Sequence, residues 1–174
     1  NLAFVLSQKD NQVMYMDCDV EEPNGHLFLN PVFDTEEPVY TPVPELDESE
    51  CVGCGICAKL CQYSAIVCLA KKTMIFPDLC HGCGGCIEVC PQKALHEKKQ
   101  KIGIIESGSA KNIQFVHGKL DIGVAMSPPL IREVKKRANK ECTLIDAPPG
   151  TSCPVITTIQ DADFIILVTE PTPF

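Results

Sequence analysis

The chain has 174 residues, which is enough for one ordinary domain or two small ones with a real hydrophobic core. Its formal net charge is −8, which argues against a surface for nucleic acid or for an anionic membrane. The longest apolar run, residues 164–168, is far shorter than the ~18 residues that a membrane-spanning helix needs. No secretory signal pattern opens the chain. We therefore expect a protein with no transmembrane segment and no nucleic-acid partner.

The first fifty residues predict a helix, a strand and an acidic arm. Residues 1–8 are typical of the last turns of a helix, and residues 11–19 are typical of a buried strand that ends in Asp17 and Asp19. No Lys or Arg occurs between positions 10 and 58. The three prolines in 34–50 favour extended chain, so this stretch is either a linker or an edge-strand arm. A disordered acidic tail is the alternative.

The middle of the chain contains a cysteine repeat. Of the twelve cysteines, eight lie in two runs, 51–61 and 80–90, each with the spacing C-x2-C-x2-C-x3-C and separated by an offset of 29. The repeat extends beyond the cysteines, because Ala65 and Ile66 match Ala94 and Leu95 at the same offset. Such heavy cysteine use with ligand spacing favours metal–sulfur ligation in a reducing cytoplasm over a disulfide framework.

This spacing is the ligand pattern of bacterial two-cluster ferredoxins, in which the fourth cysteine of each run ligates the other cluster. We therefore predict two 4Fe–4S clusters in a small α+β unit. The first cluster would be held by Cys51, Cys54, Cys57 and Cys90, and the second by Cys80, Cys83, Cys86 and Cys61. Two zinc sites are the alternative, which four-cysteine runs fit poorly. His81 and His96 lie nearby and are expected to face solvent.

The last third of the chain predicts alternating strands and helices. Ser127 is a candidate N-cap for a helix over 127–140, with prolines in its first turn. Apolar strands that alternate with helices imply a parallel sheet with both faces covered. The predicted strands are 101–106, 113–118, 120–125, 142–150 and 163–171, and a further short helix is predicted at 154–160. The flanks of the chain are thus α/β.

A nucleotide-type motif follows one of these strands. In LIDAPPG, Asp146 ends a buried strand and Gly150 follows four positions later. An aspartate at this place holds Mg²⁺ in P-loop NTPases, and a glycine N–H can contact the terminal phosphate. A loop-capping aspartate is the structural alternative. Asp17 and Asp19 end an earlier strand, and carboxylates at this sheet edge lie where ligands bind in such folds.

YMDCDVEEPNGHLFL and LIDAPPGTSCPVI together resemble the MinD/Mrp group of P-loop ATPases. The resemblance implies a truncated SIMIBI-type domain over 1–46 and 98–174, with a ferredoxin-like domain inserted at 47–97. It also implies a phosphate-binding loop upstream of Asn1, and ATP and Mg²⁺ as cofactors of a longer protein. Asp17 and Asp19 would match switch I aspartates, with Asp19 near the attacking water, while Asp146 and Gly150 would match switch II. Pro171 would lie near the adenine.

The resemblance leaves one element of the nucleotide site unmatched. No G-x-x-x-x-G-K-[ST] motif occurs in the 174 residues, so the backbone cradle for phosphates is missing. We interpret the chain as a fragment, a probable ATPase only in its full-length form, that binds nucleotide poorly alone. Cys153 follows Asp146 by seven residues, as a cluster-bridging cysteine does in the related nitrogenase iron protein; a small apolar residue near a helix start is the favoured alternative.

These observations predict an iron–sulfur protein that performs ATP-coupled electron transfer with a redox partner. A cluster carrier or metallocentre-assembly ATPase, which would hand clusters to an apo-acceptor, is the alternative. A plain two-cluster ferredoxin on an inert scaffold is a third possibility. Relatives in the MinD/Mrp group usually act as nucleotide-bridged dimers, so the resemblance also implies a homodimer.

Overall fold

The computed structural model describes residues 1–8, 12–139 and 142–169. The α-helices in these residues are α1 (Leu2–Ser7), α2 (Gly25–Leu29), α3 (Ile56–Leu60), α4 (Gly85–Glu88), α5 (Pro128–Lys135) and α6 (Cys153–Ile159). The strands are β1 (Val13–Asp17), β2 (Val32–Leu46), β3 (Ile66–Leu69), β4 (Lys72–Ile75), β5 (Leu95–Ala110), β6 (Ile113–Leu120) and β7 (Cys142–Asp146). A short 3-10 helix spans Pro77–Leu79. No helix in this part of the chain combines the length and apolar character that a membrane crossing requires.

Five strands form one mixed sheet in the order β2-β5-β6-β1-β7. β1 runs parallel to both β6 and β7, as the sequence predicts for this region. β5 and β6 are antiparallel because a tight turn joins Ala110 to Ile113, and Lys111 in that turn takes a positive φ of 55°. β2 is antiparallel to β5. The fold is therefore α/β as predicted, but the expectation of a wholly parallel sheet is wrong.

Both faces of the sheet are covered, and the side chains of β1 contribute to the core on each face. Its side chains alternate, so Met14 and Met16 enter one core while Val13 and Tyr15 face the other. The first core receives Leu130, Ile131 and Val134 from α5. The second core receives Ala3 and Leu6 from α1, together with Leu29 from α2. This packing leaves the carboxyl ends of β1 and β7 side by side at one edge of the sheet.

The acidic arm is an edge strand. Residues 34–46 belong to β2, which lies at the outer edge of the sheet and pairs with β5 from Val32 to Leu46. Its prolines are tolerated there because an edge strand has one row of backbone groups without a ladder partner. The edge-strand interpretation is thereby confirmed, and the disordered tail is excluded.

Three other predictions in the last third differ from the structure. Of the strand predicted at 120–125, only Leu120 is in a strand, as the last residue of β6, and residues 121–125 form a turn and irregular chain. The helix begins at Pro128 as predicted but ends at Lys135, and the hydroxyl of Ser127 binds Glu21 rather than capping it. Residues 164–168 are exposed and form no strand. A run of this composition is a strand only where a neighbouring strand supplies a ladder, and β7 ends the sheet in the described residues.

Candidate functional site

The cysteine repeat is also a repeat of backbone geometry. α3 and α4 begin 29 residues apart, and each has a glycine N-cap in the left-handed region, Gly55 (φ 74°) and Gly84 (φ 71°). Gly53 (φ 64°) and Gly82 (φ 66°) repeat the same conformation at the first x2 gap of each run. Only glycine takes these angles without steric cost. The sequence repeat therefore forms two equivalent cysteine loops, each followed by a short helix.

An internal two-fold relation joins the two loops. Phe76 N–H donates to the Ala65 carbonyl at 2.8 Å, and the equivalent Asp47 N–H donates to Ala94 at 2.8 Å. Ile66 pairs with Ile75 between β3 and β4, just as Leu95 pairs with Leu46 between β5 and β2. The end of β2 and the start of β5 are thus the counterpart, in one repeat, of the β3–β4 pair in the other.

The cysteines of the two runs pack against one another. Cys57 is buried beside Ile66 and Leu95, and Cys61, Cys86 and Cys90 pack against the same group. Cys54 and Cys83, which occupy equivalent positions, are both exposed. Each loop therefore has an exposed outer thiol and thiols that enter a shared interior.

Electrostatic interactions among the thiols cross from one run to the other. Burial raises the pKa of the Cys57 thiol, and the nearby thiols of Cys54 and Cys90 raise it further. Burial also raises the pKa of the Cys86 thiol to about 11, with Cys80 and Cys83 adding to the effect. Thiols held together in this way resist ionisation until a cation offsets their charge. The thiols of Cys57 and Cys90, which belong to different runs, are thus near enough to interact electrostatically.

Backbone donors surround some of these sulfurs. The Gly82 N–H lies 3.4 Å from Cys80 Sγ, and the Ala94 N–H lies 3.3 Å from Cys90 Sγ. Hydrogen bonds to ligating sulfur are one of the factors that set a cluster's reduction potential. In the described residues, no three His, Cys, Asp or Glu side chains converge on a point suited to a single metal ion. Eight thiols in two sets are a donor set that fits iron–sulfur clusters.

The histidines near the cysteine runs divide as follows. His96 is exposed on β5, as expected. His81 is half-buried, and its ring stacks on Tyr63 with centroids 3.4 Å apart and an angle of 10° between the planes. The expectation that both face solvent therefore applies to His96 and only partly to His81.

The predicted carboxylates meet at the carboxyl ends of β1 and β7. Asp17 and Asp146 are direct partners in the β1–β7 ladder, and the Cys18 N–H donates to the Asp146 carbonyl at 2.9 Å. Asp17 is buried, and its carboxylate accepts hydrogen bonds from the backbone N–H of Gly25 at 2.8 Å and of Asn24 at 3.1 Å. The side chain of Asp17 therefore holds the start of α2 onto the sheet.

The other two aspartates at this edge are more open. The Tyr15 hydroxyl donates to Asp146 Oδ2, and Asp146 is exposed. Burial raises the pKa of Asp19 and the neighbouring carboxylates of Glu21 and Asp146 add to the shift. Burial likewise raises the pKa of Asp17, against the lowering effect of the N–H donors that it binds. Three carboxylates thus share one small region and would gain from a cation.

The remaining predicted residues are not part of this group. Gly150 has a φ of 98° and is exposed, and no described atom would lie within 4 Å of a Cβ placed on it. Cys153 is exposed at the first position of α6. Pro171, expected near the adenine, lies outside the described residues. The structure thus brings together Asp17, Asp19 and Asp146 only.

The same sheet edge carries polar residues that the sequence reasoning missed. His117 is the β6 partner of Asp17, and Glu106 is the β5 partner of His117, so they continue one row across the sheet. His117 is fully buried, its Nε2 lies 2.8 Å from Glu106 Oε2, and Lys119 Nζ lies 2.6 Å from the same oxygen. A histidine that directly follows the apolar residues Phe115 and Val116 within a predicted strand is the signal that could have identified this position.

Comparison with known proteins identifies the cysteine region. A family model described as a 4Fe-4S binding domain matches the chain twice, at residues 44–67 and 73–96. The chain therefore contains two ferredoxin-type repeats and is an iron–sulfur protein with 4Fe–4S binding domains. These matches are separated by the same 29-residue offset as the cysteines.

Two uncharacterized proteins of Methanocaldococcus jannaschii are similar to the whole chain. One is 36% identical over 172 residues, which are 96% of this chain and 60% of that protein. The other is 30% identical over 184 aligned positions, covering 100% of this chain and 64% of that protein. The chain thus spans less than two thirds of the length of both relatives.

Proposed function

We propose that the chain is a two-cluster electron carrier, with the ligand sets predicted from the sequence. The observation that supports this proposal is that cysteines from both runs, Cys57 and Cys61 with Cys86 and Cys90, pack in one cluster. Ligands drawn from both runs tie each cluster into two loops, so that release of either cluster would require both loops to open. Such a site favours permanent clusters over cargo.

The residues around the clusters suit reversible electron transfer. When bound, 4Fe–4S clusters supply one-electron oxidation and reduction, with no bond to the substrate made or broken. The thiolates of the two sets would hold them, and the N–H groups of Gly82 and Ala94 would stabilise added negative charge on the sulfurs of Cys80 and Cys90. The half-exposed edge at Cys54 and Cys83 gives a redox partner close access.

Redox titration under anaerobic conditions tests the proposal. We expect about eight irons and eight sulfides per chain, as two 4Fe–4S clusters require. Dithionite should produce the EPR signal of reduced 4Fe–4S clusters, and reoxidation should restore the starting absorbance with no loss of iron. The exposure of Cys54 and Cys83 also suits a cluster carrier. Transfer of most of the iron to an apo-acceptor within minutes, with no reversible reduction, would favour that alternative.

We further propose that electron transfer is coupled to ATP in a longer protein of the MinD/Mrp type, with the ferredoxin unit at 47–97 inserted between 1–46 and 98–174. The grouping of Asp17, Asp19 and Asp146 beside parallel strands supports a Mg²⁺–nucleotide site. Because Asp17 accepts backbone donors and Asp146 Oδ2 accepts the Tyr15 hydroxyl, the carboxylate of Asp19 and Oδ1 of Asp146 would serve Mg²⁺ and the attacking water.

The nucleotide proposal is tested separately from the redox proposal. ATP affinity should be measured by calorimetry for this chain and for a version extended upstream to include a phosphate-binding loop. We expect binding only in the extended version, with loss of hydrolysis in Asp19→Asn. Equal affinity in the two versions would contradict the assignment and would leave the cluster chemistry unaffected.

A further inference from the structure

Two histidines at the sheet edge meet in an arrangement that none of the chemistry above requires. The rings of His26, in the first turn of α2, and His117, on β6, contact edge to face with centroids 5.4 Å apart and an angle of 71° between the planes. The Nδ1 atom of each ring is buried and has no hydrogen-bond partner. An unpaired polar atom in a protein interior is costly, so this pair requires an explanation.

The neighbours of His117 fix which of its nitrogens is available. Glu106 lies against Nε2, and Lys119 binds the same carboxylate oxygen. A carboxylate oxygen that lies 2.6 Å from the Lys119 ammonium is an acceptor for the imidazole as well. Nε2 must then carry the proton that it donates, which leaves the lone pair of a neutral imidazole on Nδ1. That lone pair is the atom without a partner.

The distance between the two ring centroids is the one expected for two imidazoles bound to the same metal ion. Imidazole nitrogens bind zinc-like ions at about 2.0–2.1 Å, so two rings on one tetrahedral ion have centroids roughly 5–5.5 Å apart. A carboxylate that accepts the proton of the other ring nitrogen is the usual outer support of a metal-binding histidine. His117 therefore has both the free nitrogen and the orienting carboxylate of a ligand.

We propose that His26 and His117 form a binding site for a divalent transition-metal ion that prefers imidazole, such as Zn²⁺ or Co²⁺, through their Nδ1 atoms, with Glu106 as a positioning residue. The described residues supply no group of three ligands, so water or a further group completes the coordination. The site is distinct from the cysteine loops.

The position of this site means that a bound ion would stabilise the fold. His117 and Asp17 are partners in the β6–β1 ladder, and the Gly25 N–H next to His26 binds Asp17. An ion between the two rings would therefore fasten α2 to β6 across the carboxylate edge. Binding to the folded state alone raises stability in proportion to the logarithm of free ion concentration, so the melting temperature should increase with added metal.

The test uses protein with both clusters in place, so that the cysteine thiols are occupied. Zn²⁺ binding is measured by calorimetry, and Co²⁺ is followed by EPR with the clusters oxidised, because the oxidised clusters are EPR-silent. We expect one ion per chain, and a loss of affinity of more than ~100-fold in His26→Gln, since removal of even an outer support costs about 10- to 100-fold. Glu106→Gln should weaken binding by about 10-fold. His96→Gln, at an exposed histidine, is the matched control.

Each outcome decides the proposal. The metal-dependent rise in melting temperature should vanish in His26→Gln and persist in His96→Gln. If wild-type protein binds no ion, or if His26→Gln binds as wild type does, the site is excluded and the two nitrogens are explained by buried water or by ring rotation. His26 is only half-buried, so its variant is informative even if His117→Gln fails to fold.

Discussion

The cysteine loops and the carboxylate edge were both predicted from short motifs, yet the structure supports them unequally. In the loops, Cys57 of the first run and Cys90 of the second belong to one packed cluster, and the glycines repeat one conformation. At the carboxylate edge, Asp17 and Asp146 meet as predicted, but the molecule's own donors already bind them. Cysteine ligands in a contiguous repeat thus identify a site more specifically than aspartates at strand ends do. Such aspartates also accept hydrogen bonds that stabilise the fold itself.

The largest expected effect is on the iron content, and it tests which cysteines ligate which of the two proposed clusters. In the double variant Cys54→Ala/Cys90→Ala, both changes fall on one proposed cluster, so about four irons per chain should remain. In Cys54→Ala/Cys61→Ala they fall on different clusters, so almost none should remain. Iron analysis and EPR of anaerobically purified protein measure the difference, and Cys153→Ala should keep about eight irons. The opposite order of the two doubles would mean that each run holds its own cluster.

A smaller effect is expected from alanine substitutions of two loop glycines. They distinguish the cost of a close contact from the cost of the backbone conformation. Gly53 and Gly84 have similar φ values, 64° and 71°, but a Cβ on Gly53 would lie 2.1 Å from the Lys71 carbonyl oxygen. On Gly84 it would meet no described atom within 4 Å. Gly84→Ala should therefore cost about 1–2 kcal/mol from conformation alone. Gly53→Ala should cost ~1–3 kcal/mol more from overpacking.

The measurement is the urea midpoint for loss of cluster absorbance under argon, with wild type as reference. Equal midpoints for the two variants would mean that the chain around Lys71 moves aside freely. The stability cost of both substitutions would then come from the backbone conformation alone.

The smallest expected effect is at the carboxylate edge. Tyr15→Phe removes the hydrogen bond to Asp146, which should cost about 0.5–1.5 kcal/mol of unfolding free energy and leave the iron content unchanged. Tyr40→Phe, at a tyrosine that is 51% exposed, should change stability by less than ~0.5 kcal/mol. Urea denaturation of both proteins provides the comparison. A loss of iron in Tyr15→Phe would show that the cysteine loops and the carboxylate edge are coupled, and would contradict their independence.

Local features of the fold were predictable because they depend on short stretches of sequence. The helix start at Pro128 follows from prolines in a first turn, and the strands at β1 and β7 follow from apolar runs that end in aspartate. The orientation of β5 was not predictable from alternation alone, because a two-residue turn decides it. The exposure of residues 164–168 depends on which strand lies beside β7, which composition does not record.

The candidate site residues also differ in whether local sequence could predict them. Cysteine spacing identifies all eight candidate ligands, since chemistry and position are both local. Glu106, His117 and His26 come from three separate elements, and only the register of the sheet and the placement of α2 bring them together. No spacing rule connects them along the chain.

The ladder between β2 and β5 has a consequence for the origin of the molecule. Leu46 and Leu95 face each other as partners, so the chain leaves the ladder and returns to it at a single rung. Everything between them could be replaced by a two-residue turn with the remaining pairs kept in register. Gain or loss of the cysteine-bearing segment at this one hairpin end would therefore need no rearrangement of the remaining strands.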